Sequence, residues 1–152
     1  MKKQKLILEH VDGKISQLGK AEDLVMPTAG WIYSIRQALG MSMRQLGNRM
    51  GITPQSVKEI EEREKNDTVT LKVLRQFGQA LNLKLVYGFI PSEGSLQKII
   101  ERRALELAIE IVNRTSVSMK LEGQENKPDR LQKAVKEKAE EIKLQMPRHM
   151  WD

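Results

Sequence analysis

Residues Ser42–Glu62, SMRQLGNRMGITPQSVKEIEE, constrain this chain more than any other stretch. Ser42 is placed to N-cap a helix, and Gln45 three residues on completes a capping box. Met43, Leu46 and Met50 follow at helical spacing and make one apolar face. Gly51 stands where a helix end favours a left-handed residue. Ile52 is an apolar plug in the turn. Thr53 caps a second helix and Pro54 takes its first position, where a missing N–H costs nothing. Val57 and Ile60 turn inward, which leaves Gln55, Ser56, Lys58 and Glu59 outward.

Two short helices joined by a glycine turn form a helix-turn-helix, whose second helix lies in the DNA major groove. The outward residues suit that task. Gln pairs bidentately with adenine, Ser bonds either partner, and Lys reaches guanine or phosphate. A net charge of +6 favours an acidic partner. An ordinary helical hairpin in an all-α core is the alternative, and the ordered series of caps, glycine and proline favours DNA binding over it.

Aromatic residues make up only 4% of the chain and charged ones 30%, so the core is built from Leu, Ile, Val, Met and Ala, which favours helices. The 152 residues suggest one domain, or a small domain with appended helices. Cysteine is absent, which excludes disulfides and thiol chemistry. His10 and His149 lie at opposite ends without ligand spacing, so neither a metal site nor a cofactor is expected. There is no Gly-rich phosphate loop and no nucleophile with a nearby base, so no catalytic residue and no enzyme are expected. No run of 18 apolar residues and no signal-peptide core occurs, and the reading is a cytoplasmic protein without a membrane partner.

In chain order, residues 1–26 read as an N-terminal amphipathic helix with Leu8, Val11, Ile15 and Leu18 on one face. Its stripe is to be buried on its own domain, a second copy or another protein. Residues 27–91 read as the DNA-binding domain. Its first helix, Trp31–Leu39, turns Trp31, Ile35, Ala38 and Leu39 inward and leaves Arg36 solvent-side, within reach of the DNA backbone. Trp31 is read as a core anchor rather than a phosphate contact. Thr68 or Thr70 caps a further helix bearing Leu71, Leu74, Phe77 and Leu81. Arg44, Arg63, Lys65 and Lys72 flank the motif as phosphate-contact candidates that position without specifying sequence. Leu83–Ile90, LKLVYGFI, alternates like a strand and is expected to pair with its own copy in a two-fold dimer. Residues 92–152 read as a helical partner-binding region, with helices over Leu96–Asn113 and Pro128–Gln145. Trp151 is expected to pack against a helix or a partner.

The stretch from about Trp31 to Leu83 resembles the Cro/repressor (XRE) helix-turn-helix family. That resemblance implies a phosphate contact for Gln45 and base reading by Thr53, Gln55 and Ser56. The whole chain resembles the mobile mystery protein A family, through Gly30-Trp31-Ile32, the Ile35–Met41 run, Tyr87–Pro91 and the closing Pro147–Asp152. Members of that family look like partners of Fic-domain proteins. Ser118-Met119-Lys120-Leu121-Glu122-Gly123 fits a Ser/Thr-x-x-x-Glu-Gly/Asn pattern that resembles the inhibitory helix of Fic antitoxins. Ser118 and Glu122 share one helical face. A carboxylate there pairs with an enzyme arginine, occupying phosphate space, and Gly123 ends the helix.

The fold expected is therefore all-α: a Cro/repressor-like helix-turn-helix domain with one short strand and appended N- and C-terminal helices. The function expected is an antitoxin and repressor, a homodimer that binds double-stranded operator DNA and inhibits AMP transfer by a Fic-domain toxin. The alternative is a stand-alone XRE-type regulator whose extra helices only dimerise.

Overall fold

The computed structural model describes residues 2–121 and 127–152. Seven α-helices follow in order: α1 (Lys2–Leu18), α2 (Trp31–Ala38), α3 (Met43–Met50), α4 (Pro54–Lys65), α5 (Leu71–Leu81), α6 (Leu96–Leu121) and α7 (Pro128–Gln145). Two 3₁₀ turns, Gly19–Ala21 and Arg148–Trp151, complete the regular structure among the described residues. The all-α expectation is met, and no described helix is long and apolar enough to cross a membrane. The expected strand is not formed: residues 83–90 are neither helix, strand nor turn. A strand exists only as part of a ladder, and a single copy of this chain supplies no partner for one. The chain divides into two compact units, one of Asp23–Tyr87 and one of Met1–Glu22 with Gly88–Asp152.

The first unit packs α2–α5 around Ile32, Leu46, Val57, Ile60 and Phe77. Its helix ends are set by local chemistry. The Ser42 hydroxyl accepts from Gln45 N–H at 3.1 Å, and the Gln45 side-chain oxygen accepts from Ser42 N–H at 2.8 Å. Thr53 accepts from Ser56 N–H, and Thr70 accepts from Val73 N–H, so Thr70 is the cap of α5. Thr68 instead donates to the Arg63 carbonyl.

α3 and α5 end alike. Each closes on a left-handed residue, Gly51 (φ 71°) or Asn82 (φ 57°). The next N–H returns to the helix, Ile52 to Gly47 O at 2.9 Å and Leu83 to Gly78 O at 2.7 Å. A glycine inside a helix costs about 1 kcal/mol relative to alanine. Here the cost has a reason. A Cβ on Gly47 would stand 2.6 Å from Ile52 O, and one on Gly78 2.5 Å from Leu83 O.

Two carboxylates on α4 reach across to α2. Glu61 is buried and ion-paired with Arg36, Nε to Oε1 at 2.5 Å and Nη2 to Oε2 at 3.3 Å. Arg36 also donates to the Met41 carbonyl, and its guanidinium lies over the Tyr33 ring. Glu64 accepts from Trp31 N–H at 2.9 Å and Ile32 N–H at 2.8 Å, which satisfies the open start of α2. Gly30, at φ 87°, makes room for it, since a Cβ there would meet Glu64 Oε1 at 2.8 Å.

Two expectations for α2 are corrected by this arrangement. Arg36 does not face solvent but is 5% exposed. Trp31 is 42% exposed and Leu39 is also exposed, while Ile32 is fully buried. The inward face runs through Ile32, Ile35 and Arg36 at spacings of three and four. Trp31, Ala38 and Leu39 are therefore rotated outward.

In the second unit α6 and α7 pack along one another around Ile100, Ala104, Ala108, Ile142 and Met150. α6 continues eight residues past its expected end at Asn113. Thr115 is accommodated by donating its hydroxyl back to Ile111 O at 3.1 Å. α1 is tied to this unit by Leu8 and by Asp12, whose two oxygens accept from Leu96 N–H (2.7 Å) and Gln97 N–H (3.1 Å) at the start of α6. The Pro147–Asp152 tail also has a physical account. Met150 is fully buried, and Arg103 donates to the main-chain oxygens of Met150 and Asp152. Met150 is the packed residue, and Trp151 is 56% exposed.

Removing one member of a buried ion pair strands the other charge. Glu61→Ala is expected to lose about 3–5 kcal/mol of stability, while Arg36→Met with Glu61→Leu recovers most of it. Urea denaturation followed by circular dichroism measures both. A loss below about 1 kcal/mol for the single variant contradicts the role given to the pair.

Candidate nucleic-acid interface

The motif helix α4 buries Val57, Ile60 and Glu61, a face at spacings of three and four. Its opposite face carries Gln55, Lys58, Glu59 and Glu62, all exposed, with Ser56 half-buried at the rim. Among the described residues neither Gln55 nor Lys58 has a hydrogen-bond partner, so both side chains are available for an external surface. Thr53 is differently placed. Its hydroxyl accepts from Ser56 N–H and donates to Ser56 Oγ, each at 3.0 Å. Capping occupies that hydroxyl and leaves the Ser56 proton to point elsewhere.

Gln45 serves two ends at once. Its side-chain oxygen is held by Ser42 N–H, and this fixes the rotamer. The amide nitrogen remains as a donor at the start of α3, where the helix end itself favours an anion. Arg44 lies beside it and is exposed. Arg63 is exposed near the other end of α4, seven residues beyond Ser56 and so about 10 Å along the axis. It lines a groove of about 480 Å³ with Arg49, Ser56, Glu59 and Gln76 among others. Arg49 was not foreseen from the sequence, although a basic residue in the last turn of α3, beside the turn, is a legible signal.

The structure thus brings Thr53, Gln55, Ser56 and Lys58 together on the first turns of α4 and puts Arg44 and Gln45 on the start of α3. Arg36, expected to meet the DNA backbone, is instead withdrawn into the core. Sequence reading missed Glu61 and Glu64, the two carboxylates that hold α4 against α2. Glu61 lies four residues after Val57, so it falls on the apolar face, and a charge there signals a buried partner.

Ser118 is exposed on α6, which continues to Leu121. Glu122 and Gly123, the rest of the inhibitory pattern, lie outside the described residues. Among the described residues no group of three or more His, Cys, Asp or Glu side chains is placed to hold a metal ion.

No curated protein and no solved structure matches the chain. Residues 32–87 match the family model described as Helix-turn-helix. The match spans α2–α5 and the residues that follow as far as Tyr87, which is nearly the whole first unit. With its caps, its glycine turn and its outward polar face in place, this segment is an XRE-type helix-turn-helix domain, the DNA-binding module of a transcriptional regulator.

Proposed function

We propose that the chain is a repressor that reads a palindromic operator in the cytoplasm through the first turns of α4. The observation that carries this reading is the placement of Gln55 and Lys58, exposed and without partners among the described residues, on a helix whose inner face is locked by Glu61 and Glu64. Gln55 pairs with adenine, Ser56 donates its hydroxyl proton, and Lys58 takes guanine or phosphate. Thr53 offers its methyl group, because its hydroxyl is held by the cap. Gln45, Arg44 and Arg63 take phosphates and set the register. Counterion release makes the affinity fall steeply with salt.

Selection from a random duplex pool is the test, with enrichment of a palindromic sequence expected. On the selected duplex Gln55→Ala is expected to cost about 1–3 kcal/mol and to relax choice at one base pair. Equal loss on the selected and a scrambled duplex contradicts base reading by Gln55, and no enrichment at all contradicts the operator.

A second role is favoured by one observation. α6 remains helical through Ser118, which is exposed. In this reading the chain is also the antitoxin of a Fic-domain protein. Ser118, Glu122 and Gly123 form the inhibitory element, and the Glu122 carboxylate takes the enzyme arginine that would otherwise hold the γ-phosphate. The expected outcome is silenced AMP transfer by a Fic-domain protein encoded beside this chain, restored by Glu122→Gly with binding retained. Transfer unaffected by the native chain rejects the antitoxin role and leaves a stand-alone regulator.

A further inference from the structure

Base reading by Gln55, Ser56 and Lys58 leaves two outward residues of α4 without a task. Both are carboxylates, Glu59 and Glu62, on a face that meets a polyanion, and both are exposed. The helical period fixes where they point. Val57, Ile60 and Glu61 mark the inner face. At about 100° per residue, Gln55, Glu59 and Glu62 lie opposite that face, within an arc of about 60°. Lys58 falls on one flank of the arc, and Ser56 and Arg63 fall on the other. When α4 enters the major groove, its centre line faces the bases and its flanks face the phosphate walls. Glu59 therefore stands over the base edges, one turn beyond Gln55 and about 6 Å along the axis.

A carboxylate so placed is costly unless it is hydrogen-bonded. It loses water as the groove closes over it, and it stands among phosphates. Pairing within the protein does not relieve it. Among the described residues Glu59 has no ion-pair partner, although Arg49 and Arg63 line the same protein groove. The relief must come from the DNA. An ionised carboxylate only accepts hydrogen bonds. Guanine offers the major groove two acceptors, thymine an acceptor and a methyl group, and adenine a donor with an acceptor beside it. Cytosine alone offers a donor, its N4 amine, with no acceptor on the same base edge. We infer that Glu59 accepts from the N4 amine of a cytosine and so fixes a C·G pair within two base pairs of the adenine taken by Gln55. The spacing follows from the rise, since about 6 Å spans about two steps of 3.4 Å. The inference rests on the operator reading and adds a named base to it.

Gln55 and Glu59 discriminate in different ways. Gln55 carries both a donor and an acceptor, so a wrong base still finds one of them. Glu59 works by rejection. Guanine or thymine sets lone pair against lone pair and leaves a dehydrated charge unpaired. Random DNA is disfavoured for the same reason, because the charge goes unanswered wherever cytosine is missing. Glu62 carries the same charge on the same stripe but a further turn on, about 10 Å from Gln55.

The test selects sequences from a random duplex pool with the full-length native chain and with Glu59→Gln and Glu62→Gln. Glu59 is exposed, so circular dichroism of its variant is expected to match the native chain. The native half-site is expected to hold an adenine and, within two base pairs, a cytosine. Replacing that C·G pair is expected to weaken binding at least about tenfold. Glu59→Gln is expected to change the choice at that one base pair from cytosine to adenine, because Gln pairs bidentately with adenine. Glu62→Gln is expected to keep the cytosine. A Glu59→Gln chain that selects the native sequence overturns the inference. So does an even gain in affinity on every duplex, which would show that the carboxylate only repels phosphate. Loss of the cytosine in Glu62→Gln alone assigns it to the wrong turn and also overturns it. A native chain that enriches no sequence rejects operator reading itself, and base selection by Glu59 falls with it.

Discussion

The Glu61 carboxylate, buried against Arg36, decides which face α4 shows to solvent. A charge in a protein interior is costly unless it is paired and hydrogen-bonded. Here both conditions are met, since Arg36 contacts both oxygens of Glu61 and also holds the Met41 carbonyl. Once Glu61 is inward, the helical period turns Val57 and Ile60 inward with it and places Gln55, Lys58 and Glu62 outside. Glu64 adds a second tie, through the first N–H groups of α2. The reading face follows from an interaction made on the far side of the helix.

The second unit uses the same device. Asp12 caps α6 from α1 as Glu64 caps α2 from α4, in each case with both oxygens on successive main-chain N–H groups. Arg103 anchors the Pro147–Asp152 tail, and Met150 fills the core beneath it. These long-range polar ties direct helices that apolar packing alone would leave free to rotate, since apolar contact is non-directional.

What was legible in the sequence was local. The capping box of Ser42 and Gln45, the left-handed Gly51, and the Thr53-Pro54 start of α4 are fixed by neighbours within four residues, and all are found. The outward positions of Gln55 and Lys58 follow from the same period. What was misread depends on distant partners. Arg36 looked solvent-bound because nothing near it in sequence balances its charge, and its partner lies 25 residues on. Trp31 looked like an anchor by size, but Glu64 and Ile32 set the face of α2. α6 outruns its predicted end, and Thr115 is accommodated there by its bond back to Ile111 O. The strand at Leu83–Ile90 needs a ladder that one chain cannot provide, and the close-approach roles of Gly47 and Gly78 depend on carbonyls that only the folded turn brings near.

If α4 carries the contact with bases, its own amides must sense the duplex. The most direct measurement is the change in backbone amide resonances of the isotopically labelled full chain on addition of its selected duplex. Large shifts are expected at Gln45, Thr53, Gln55, Ser56 and Lys58, with the resonances of α6 and α7 unmoved. Shifts confined to α6 and α7, with the α4 amides unchanged, would contradict base reading by α4.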